Sequence, residues 1–362
     1  MDSKEGVQSG LQNAGNTDDL SLDTNRKVLI SRAGGPERLN LVDAPMPDCG
    51  ANEVVIRNEA VGVAIADVFI REGLYPGVPL PATPGYEVIG VVVSKGEQVE
   101  GVELATRIAA LTVHGGYAKY VTVPVSSTIP VPPALSSAIA ASLVLNGLTA
   151  YQMLTRCVSL TSTRTILVWG AAGGVGSVLL DLAKHFGIKA YGVASHSRLD
   201  FVTGKGAIPI NRSEGNIVHK LKQYEPAGVD VVFDGVGGSN IAISQRCLNV
   251  GGTVVMFGIQ GGLVRGRRNI LHLVRTVLSS PWYTAFGVFR SNRGMKGYMI
   301  EDWVRQFPDW YRADLSALFE LAASGSITPQ IDEILPMSKV AEAHRRINAG
   351  SQLGKIILDP SL

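Results

Sequence analysis

The run Gly170-Ala171-Ala172-Gly173-Gly174-Val175-Gly176 follows an apolar stretch, Thr165-Ile166-Leu167-Val168-Trp169, and precedes helix-compatible sequence from Ser177 to Phe186. A pyrophosphate asks three things of such a turn: a tight exit from a strand, close backbone approach where there is no Cβ, and close packing of the following helix. Ala171, Gly173 and Gly176 occupy those three places, and Gly174 and Val175 add backbone N–H groups at the helix start, where they face bound phosphate. Ala171 stands where a glycine is usual, which a small side chain tolerates if its φ stays negative. With a strand before it, a helix after it and a second strand from Lys189, the turn reads as a dinucleotide site rather than a bare glycine-rich loop.

The end of that second strand bears on the choice between NAD and NADP. Lys189-Ala190-Tyr191-Gly192-Val193-Ala194 ends without the acidic residue that would bond the ribose hydroxyls, and runs into Ser195-His196-Ser197-Arg198. Hydroxyls, an imidazole and a guanidinium suit a 2′-phosphate, so NADPH is the expected cofactor. The same residues also read as turn and capping residues with one solvated charge. Asp234, closing the apolar run from Val229, and Gly258, past the run Thr253 to Phe257, are expected along the cofactor groove.

These residues need a scaffold of two lobes, because 362 residues exceed one typical core. A hydrophobic share of 46%, a charged share of 18% and 41 glycines fit a globular α/β protein. The formal charge of +2, without a basic run, argues against nucleic acid as a partner. Three scattered cysteines argue against a disulfide framework and point to the cytoplasm. Residues 1–26 lack an apolar segment and read as a disordered tail, and the sequence elsewhere shows no run approaching the ~20 apolar residues of a membrane span.

Short β-type stretches fill Lys27 to Pro130: Val28 to Ile30, Glu53 to Ile56, Val88 to Val93, Thr106 to Ala110 and Tyr117 to Val123. Ser136 to Arg156 is helix-compatible, and alternating strand and helix patterns follow, the sign of a parallel sheet. A further strand is expected around Met295 to Ile300, a helix over Glu301 to Ala323, and a return to the first lobe through Ile327 to Leu335, Ser338 to Ala349 and Gly354 to Leu358. The expected domains are therefore 27–147 with 301–362, and 148–300 inserted between them. Residues 262–295, with Arg265, Arg267, Arg268, Arg275, Trp282, Tyr283, Phe286 and Phe289, read as a lid, a pocket wall, a dimer surface or plain core.

In order and spacing, several further pieces resemble the zinc-independent quinone oxidoreductase branch of the medium-chain dehydrogenase/reductase superfamily. They are Gly35 to Leu39, Gly62 to Asp67, Arg71 to Pro76, Pro84 to Glu87, Gly115 to Tyr120, Leu148 to Tyr151, Ala171 to Gly176, Gly228 to Asp234, Gly237-Gly238, Gly251-Gly252 and Gly354-Lys355. The resemblance spans Lys27 to Pro360. It implies a GroES-like β-rich catalytic domain, a Rossmann doubly wound parallel-sheet domain, NADPH in the cleft between them, and a homodimer. It also implies a basic residue at Arg198 for the 2′-phosphate and Lys355 near the cofactor. Tyr75, Tyr86, Asn146 and Thr149 are implied at the reacting end.

Zinc-dependent relatives carry a cysteine and a histidine where this chain has Ala64 and Tyr86, and a four-cysteine loop absent here, so no metal is expected. Many quinone reductases carry an asparagine at the place of Ala64. Without a metal to polarise a simple carbonyl, the favoured reaction is hydride transfer to a quinone or an α,β-unsaturated carbonyl, with Tyr75 or Tyr86 donating to the oxygen that gains charge. Both tyrosines also read as rim or packing residues, and Asn146 also reads as a helix cap. His114 is a weaker candidate acid. Asp67 and Glu87 read as structural hydrogen-bonding residues. An enoyl reductase of a CoA- or carrier-bound substrate, or a non-catalytic NADPH-binding protein, shares nearly all these motifs.

Overall fold

The structure, a computed structural model, describes residues 24–263, 269–281 and 284–362. The amino-terminal lobe contains β1 (Asn25–Leu29), β2 (Asn40–Ala44), β3 (Glu53–Val63), β4 (Glu87–Lys95), β5 (Arg107–Leu111), β6 (Tyr120–Pro124) and β7 (Thr128–Pro130). The second lobe contains β8 (Thr165–Trp169), β9 (Lys189–Ala194), β10 (Ile208–Asn211), β11 (Val229–Asp234), β12 (Leu248–Met256) and β13 (Gly294–Gly297). The chain closes with β14 (Ile331–Pro336) and β15 (Lys355–Asp359).

The second lobe's strands lie in the order β10-β9-β8-β11-β12-β13, every pair parallel, with the order reversing between β8 and β11. This is the doubly wound Rossmann arrangement, whose ligands bind outside the carboxyl ends of the strands at that reversal. Ile166, Leu167, Val168, Val232, Phe233, Val254 and Val255 are all buried, as a sheet covered on both faces requires. In the first lobe β3 pairs antiparallel with β4 and β6, and its register shifts twice, at Val55/Ile56 and at Asn58/Ala60, bending this long strand around the lobe's core. The closing strand β15 pairs antiparallel with β3, Ile356 opposite Val63, and β14 lies parallel outside it. The chain thus leaves the first lobe, builds the parallel sheet and returns.

One helical run, Ser137–Cys157, passes from the first lobe into the second, alternating α turns with wider i→i+5 turns at Leu143–Gly147 and Met153–Cys157. By length and composition it could cross a membrane, a feature not recognised in the sequence; 72% of its most apolar window is buried inside the fold, as befits a core helix.

Other expectations shift in detail. Residues 1–23 of the expected tail lie outside the described residues, and its end is ordered: Asn25 and Arg26 belong to β1, where Asn25 Nδ2 donates to the Tyr120 carbonyl at 3.1 Å. The strands β2, β7 and β10 had not been expected. The helix expected over Glu301 to Ala323 is two, Ile300–Gln306 and Pro308–Ala323, because Pro308 cannot continue the first and opens the second. In the 262–295 segment, the helices Ile270–Leu278 and Ala285–Ser291 leave Leu271, Val274, Val277, Leu278, Phe286 and Phe289 exposed, which rules out plain core packing for those side chains. Arg265, Arg267, Arg268, Trp282 and Tyr283 lie outside the described residues.

Candidate active site

The phosphate loop is built as its residue types dictate. Gly170 takes a left-handed φ of +66°, so the sharp turn off β8 falls on a glycine, whereas Ala171 stays at negative φ and tolerates its methyl. A Cβ at Gly176 would lie 2.3 Å from the Gly170 carbonyl oxygen and 2.8 Å from Ala171 Cα, so only glycine lets the helix Gly174–His185 sit this close. Gly173 is that helix's N-cap, and no side chain among the described residues caps it, leaving its first-turn N–H groups for an anion. The Gly354 N–H donates to the Ala172 carbonyl at 2.9 Å, so the chain's closing segment braces the loop directly. Asn146, on the first wide turn of the long helix, lays its Nδ2 against Gly174, where a Cβ would meet it at 1.9 Å.

At the end of β9, Ser195 and Ser197 set their hydroxyls 3.4 Å apart and Ser195 caps nothing with its side chain. His196 is exposed, with Nδ1 3.4 Å from Asn211 Nδ2. Arg198 donates to the Gly350 carbonyl; burial, and next the nearby positive charge of Arg212, hold its guanidinium below the usual arginine range. Arg212 follows β10, its backbone N–H bound to the Ala194 carbonyl at 2.9 Å. Two guanidiniums repelling each other beside a strand end is an arrangement that an anion relieves. Sequence reading missed Arg212, because β10 is short and carries Pro209.

Two expected cofactor residues turn out to stand behind the groove. Asp234 is fully buried and both its oxygens are engaged: Oδ1 by the Val236 and Gly237 N–H groups, Oδ2 by Asn240 Nδ2 and Ser244 Oγ, all within 3.0 Å. It ties the loop after β11 rather than lining the groove. Lys355 is likewise turned inward, its Nζ 2.6 Å from Glu87 Oε1, with Glu87 Oε2 accepting the Leu145 N–H at 2.8 Å. Gly258 does approach the backbone closely, since a Cβ there would lie 2.9 Å from the Gly235 carbonyl oxygen.

At the other end of the cleft the Tyr75 and Tyr86 hydroxyls are 2.8 Å apart, and both donate to Glu301 Oε1. Tyr86 is placed by its neighbours. Asp67 accepts the Ala64 N–H and the Gly85 N–H, each at 2.8 Å, which ties the start of the helix Ile65–Arg71 to the residue before Tyr86. Gly85 has φ +106°, and a Cβ there would strike Tyr117 N at 2.4 Å. Burial is the main cause that raises both phenols well above the ordinary tyrosine range, so they remain protonated donors. Glu301, which the expected boundary at 300/301 assigns to the first lobe, lies in the first turn of the helix Ile300–Gln306, just past β13 of the second lobe's sheet; the Tyr298 N–H, bound to the Met256 carbonyl at 2.9 Å, anchors this segment to the end of β12. Glu301 was not among the residues expected here.

Thr149 is buried with its hydroxyl toward Tyr298, whose own hydroxyl donates to Gln152 Oε1 at 2.8 Å. It supports the helix under the cleft. His114 is exposed on the first lobe beside Thr112 and Pro81 and meets neither tyrosine. Among the described residues no group of three His, Cys, Asp or Glu side chains gathers as a metal would need.

The chain matches the alcohol dehydrogenase GroES-like domain family over residues 50–133 and the zinc-binding dehydrogenase family over residues 207–358. The rat synaptic vesicle membrane protein VAT-1 homolog is 33% identical over 340 residues, covering 92% of this chain and 84% of that protein. A probable quinone oxidoreductase of Schizosaccharomyces pombe is 28% identical over 337 residues, covering 92% and 97%. Among solved structures, Escherichia coli quinone oxidoreductase complexed with NADPH superposes with a TM-score of 0.82 at 25% identity, over 92% of this chain and all of that one. Fold order, phosphate loop and these likenesses agree: the chain belongs to the zinc-independent quinone oxidoreductase branch of the medium-chain dehydrogenase/reductase superfamily.

Proposed function

We propose that this protein is an NADPH-dependent reductase of quinones or α,β-unsaturated carbonyls that works without a catalytic metal. The observation that carries the reading is the paired phenols of Tyr75 and Tyr86, 2.8 Å apart and held protonated by burial, in a fold whose parallel sheet ends in a pyrophosphate cradle. NADPH, the ligand bound by the Escherichia coli neighbour, supplies a hydride when held here.

Gly173, Gly174, Val175 and Gly176 hold the pyrophosphate with backbone N–H groups, and Asn146 borders that cradle. Ser195, His196, Arg198 and Arg212 receive the 2′-phosphate. Tyr75 and Tyr86 orient the acceptor and donate to the oxygen on which negative charge develops. Ala64 and Tyr86 replace the soft and imidazole ligands of zinc-dependent relatives, which supports chemistry by hydrogen-bond donors alone.

The free thiols of Cys49, Cys157 and Cys247 support a reducing compartment, and we place the enzyme in the cytoplasm. A homodimer fits the surface: among the described residues β13 ends the parallel sheet with no strand beyond it, and exposed Leu271, Leu278, Phe286 and Phe289 lie on the helices that precede it. Light scattering on the purified chain reads that directly, and a monomer at micromolar concentration would refute it.

Steady-state oxidation of NADPH and NADH in chelator, against a panel of quinones and enones, tests the function. Turnover preferring NADPH supports the reading; tight NADPH binding without turnover on any acceptor replaces it with a binding protein.

A further inference from the structure

Three oxygens from two distant parts of the chain meet at the reacting end: Tyr75 Oη, Tyr86 Oη and Glu301 Oε1, with every pair within hydrogen-bond distance. The proton inventory of that triangle is informative. Each phenol owns one proton, so an ionised Glu301 leaves two protons for three edges. If both phenols then point at the carboxylate, the Tyr75–Tyr86 edge sets two lone pairs against each other at 2.8 Å. A carboxyl that carries its proton supplies the third donor, and the ring closes with every edge bonded. Tyr86 is 1% exposed and Tyr75 and Glu301 are half-buried, which limits the water that can satisfy an open edge.

We propose that Glu301 is the proton store of this site, reloading whichever phenol gives its proton to the acceptor. The proposal rests on the reductase reading for its chemistry. The acceptor gains two electrons with the hydride and is left with one negative charge on oxygen. A phenol O–H bond breaks as the acceptor O–H bond forms; the phenol O–H re-forms as the Glu301 O–H breaks; the carboxylate regains one proton from water. The two-lobed origin of the triangle gives the store its place. The phenols belong to the lobe that holds the acceptor, and Glu301 follows β13 on the carboxyl edge of the nucleotide sheet, so it reaches the phenols only across the cleft. Glu301 acts through the tyrosines and is a positioning and proton-supplying residue rather than a group that binds the acceptor itself.

Glu301→Gln keeps the size and one acceptor oxygen but cannot carry the proton; Glu301→Asp keeps the proton at shorter reach. The expected result for E301Q is an NADPH Kd equal to wild type by fluorescence titration, an acceptor KM little changed, and kcat for an enone reduced on the order of 10²-fold. Its rate becomes more sensitive to deuterium oxide, and E301D recovers part of the loss. In the protein without acceptor, infrared difference spectroscopy of wild type minus E301Q shows the C=O stretch of a protonated carboxyl. Wild-type kcat and solvent sensitivity in E301Q, or no such infrared band, overturns the proposal. If wild type turns over no acceptor, the reductase reading fails on its own, and the infrared band still decides whether Glu301 holds a proton.

Discussion

Lys355 and Glu87 form an ion pair of 2.6 Å in which neither side chain meets solvent, being 2% and 0% exposed. The pair joins β15 to β4, and through Glu87 Oε2 and the Leu145 N–H it reaches the first wide turn of the long helix. Burial pushes the Glu87 carboxyl up while the Lys355 ammonium pulls it back down. Lys355→Met leaves that carboxylate buried without a counter-charge, a change that costs about 3–5 kcal/mol. Because the Gly354 N–H braces the phosphate loop, the NADPH Kd rises as well. Urea denaturation of K355M and of E87Q/K355M checks this: the double variant recovers part of the loss, and a single-variant cost below about 0.5 kcal/mol would contradict the pairing.

Two substitutions in the phosphate loop have opposite expectations. Gly176→Ala sets a methyl 2.3 Å from a backbone oxygen, so the loop must open, and NADPH affinity falls at least about tenfold, the equivalent of ~1.4 kcal/mol. Ala171→Gly restores the usual glycine at a position whose φ is already negative; it lowers stability by about 1 kcal/mol and leaves NADPH binding near wild type. Fluorescence titration of both variants separates backbone geometry from loop composition. A tighter Kd in A171G would show that the methyl obstructs the cofactor.

Asp67 gives a pH signature. Burial raises its carboxyl from 3.8 to about 6, against the lowering effect of the Ala64 and Gly85 N–H groups. A carboxyl whose folded pKa lies above its unfolded value favours the fold most while protonated. Its contribution, roughly 3 kcal/mol, is present below the unfolded pKa and is lost as pH rises through the folded one. The stability of wild type relative to Asp67→Asn therefore declines between about pH 4 and about pH 7. Thermal melts of both proteins across that window test it. A difference that grows with pH would mean the two N–H donors and Tyr117 outweigh burial.

The thiols differ in reactivity for the same physical reason. Burial pushes Cys157 up to about 11 and Cys247 up to about 12, whereas Cys49 is only partly buried. A thiol reagent at neutral pH is expected to modify Cys49 in the native protein and the other two only after unfolding. Fast native labelling of Cys157 would contradict the packing around the second wide turn, Met153–Cys157.

The site was legible where its logic is local. Ala171, Gly173 and Gly176 fall within one turn and one helix start, so their spacing alone foretold the tight turn and the close packing of the helix, and the parallel sheet followed from apolar runs buried on both faces. Glu301 was hidden because it meets Tyr75 across 226 residues of sequence, and a glutamate in the first turn of a helix reads as a solvated charge favoured by the helix dipole. The turned-in side chains of Asp234 and Lys355 were hidden too: sequence sets a residue near a groove, but only packing decides which way it faces. Pro308 split a helix that apolar spacing alone had run together.

Reduction by NADPH held through a 2′-phosphate site is measured most directly as kcat/KM for NADPH and for NADH with the best quinone or enone, in wild type, Arg198→Ala and Arg212→Ala. The expected result is a wild-type preference for NADPH that falls about tenfold or more in each variant, with the NADH value nearly unchanged. Equal losses for the two cofactors, or no preference in wild type, would contradict it.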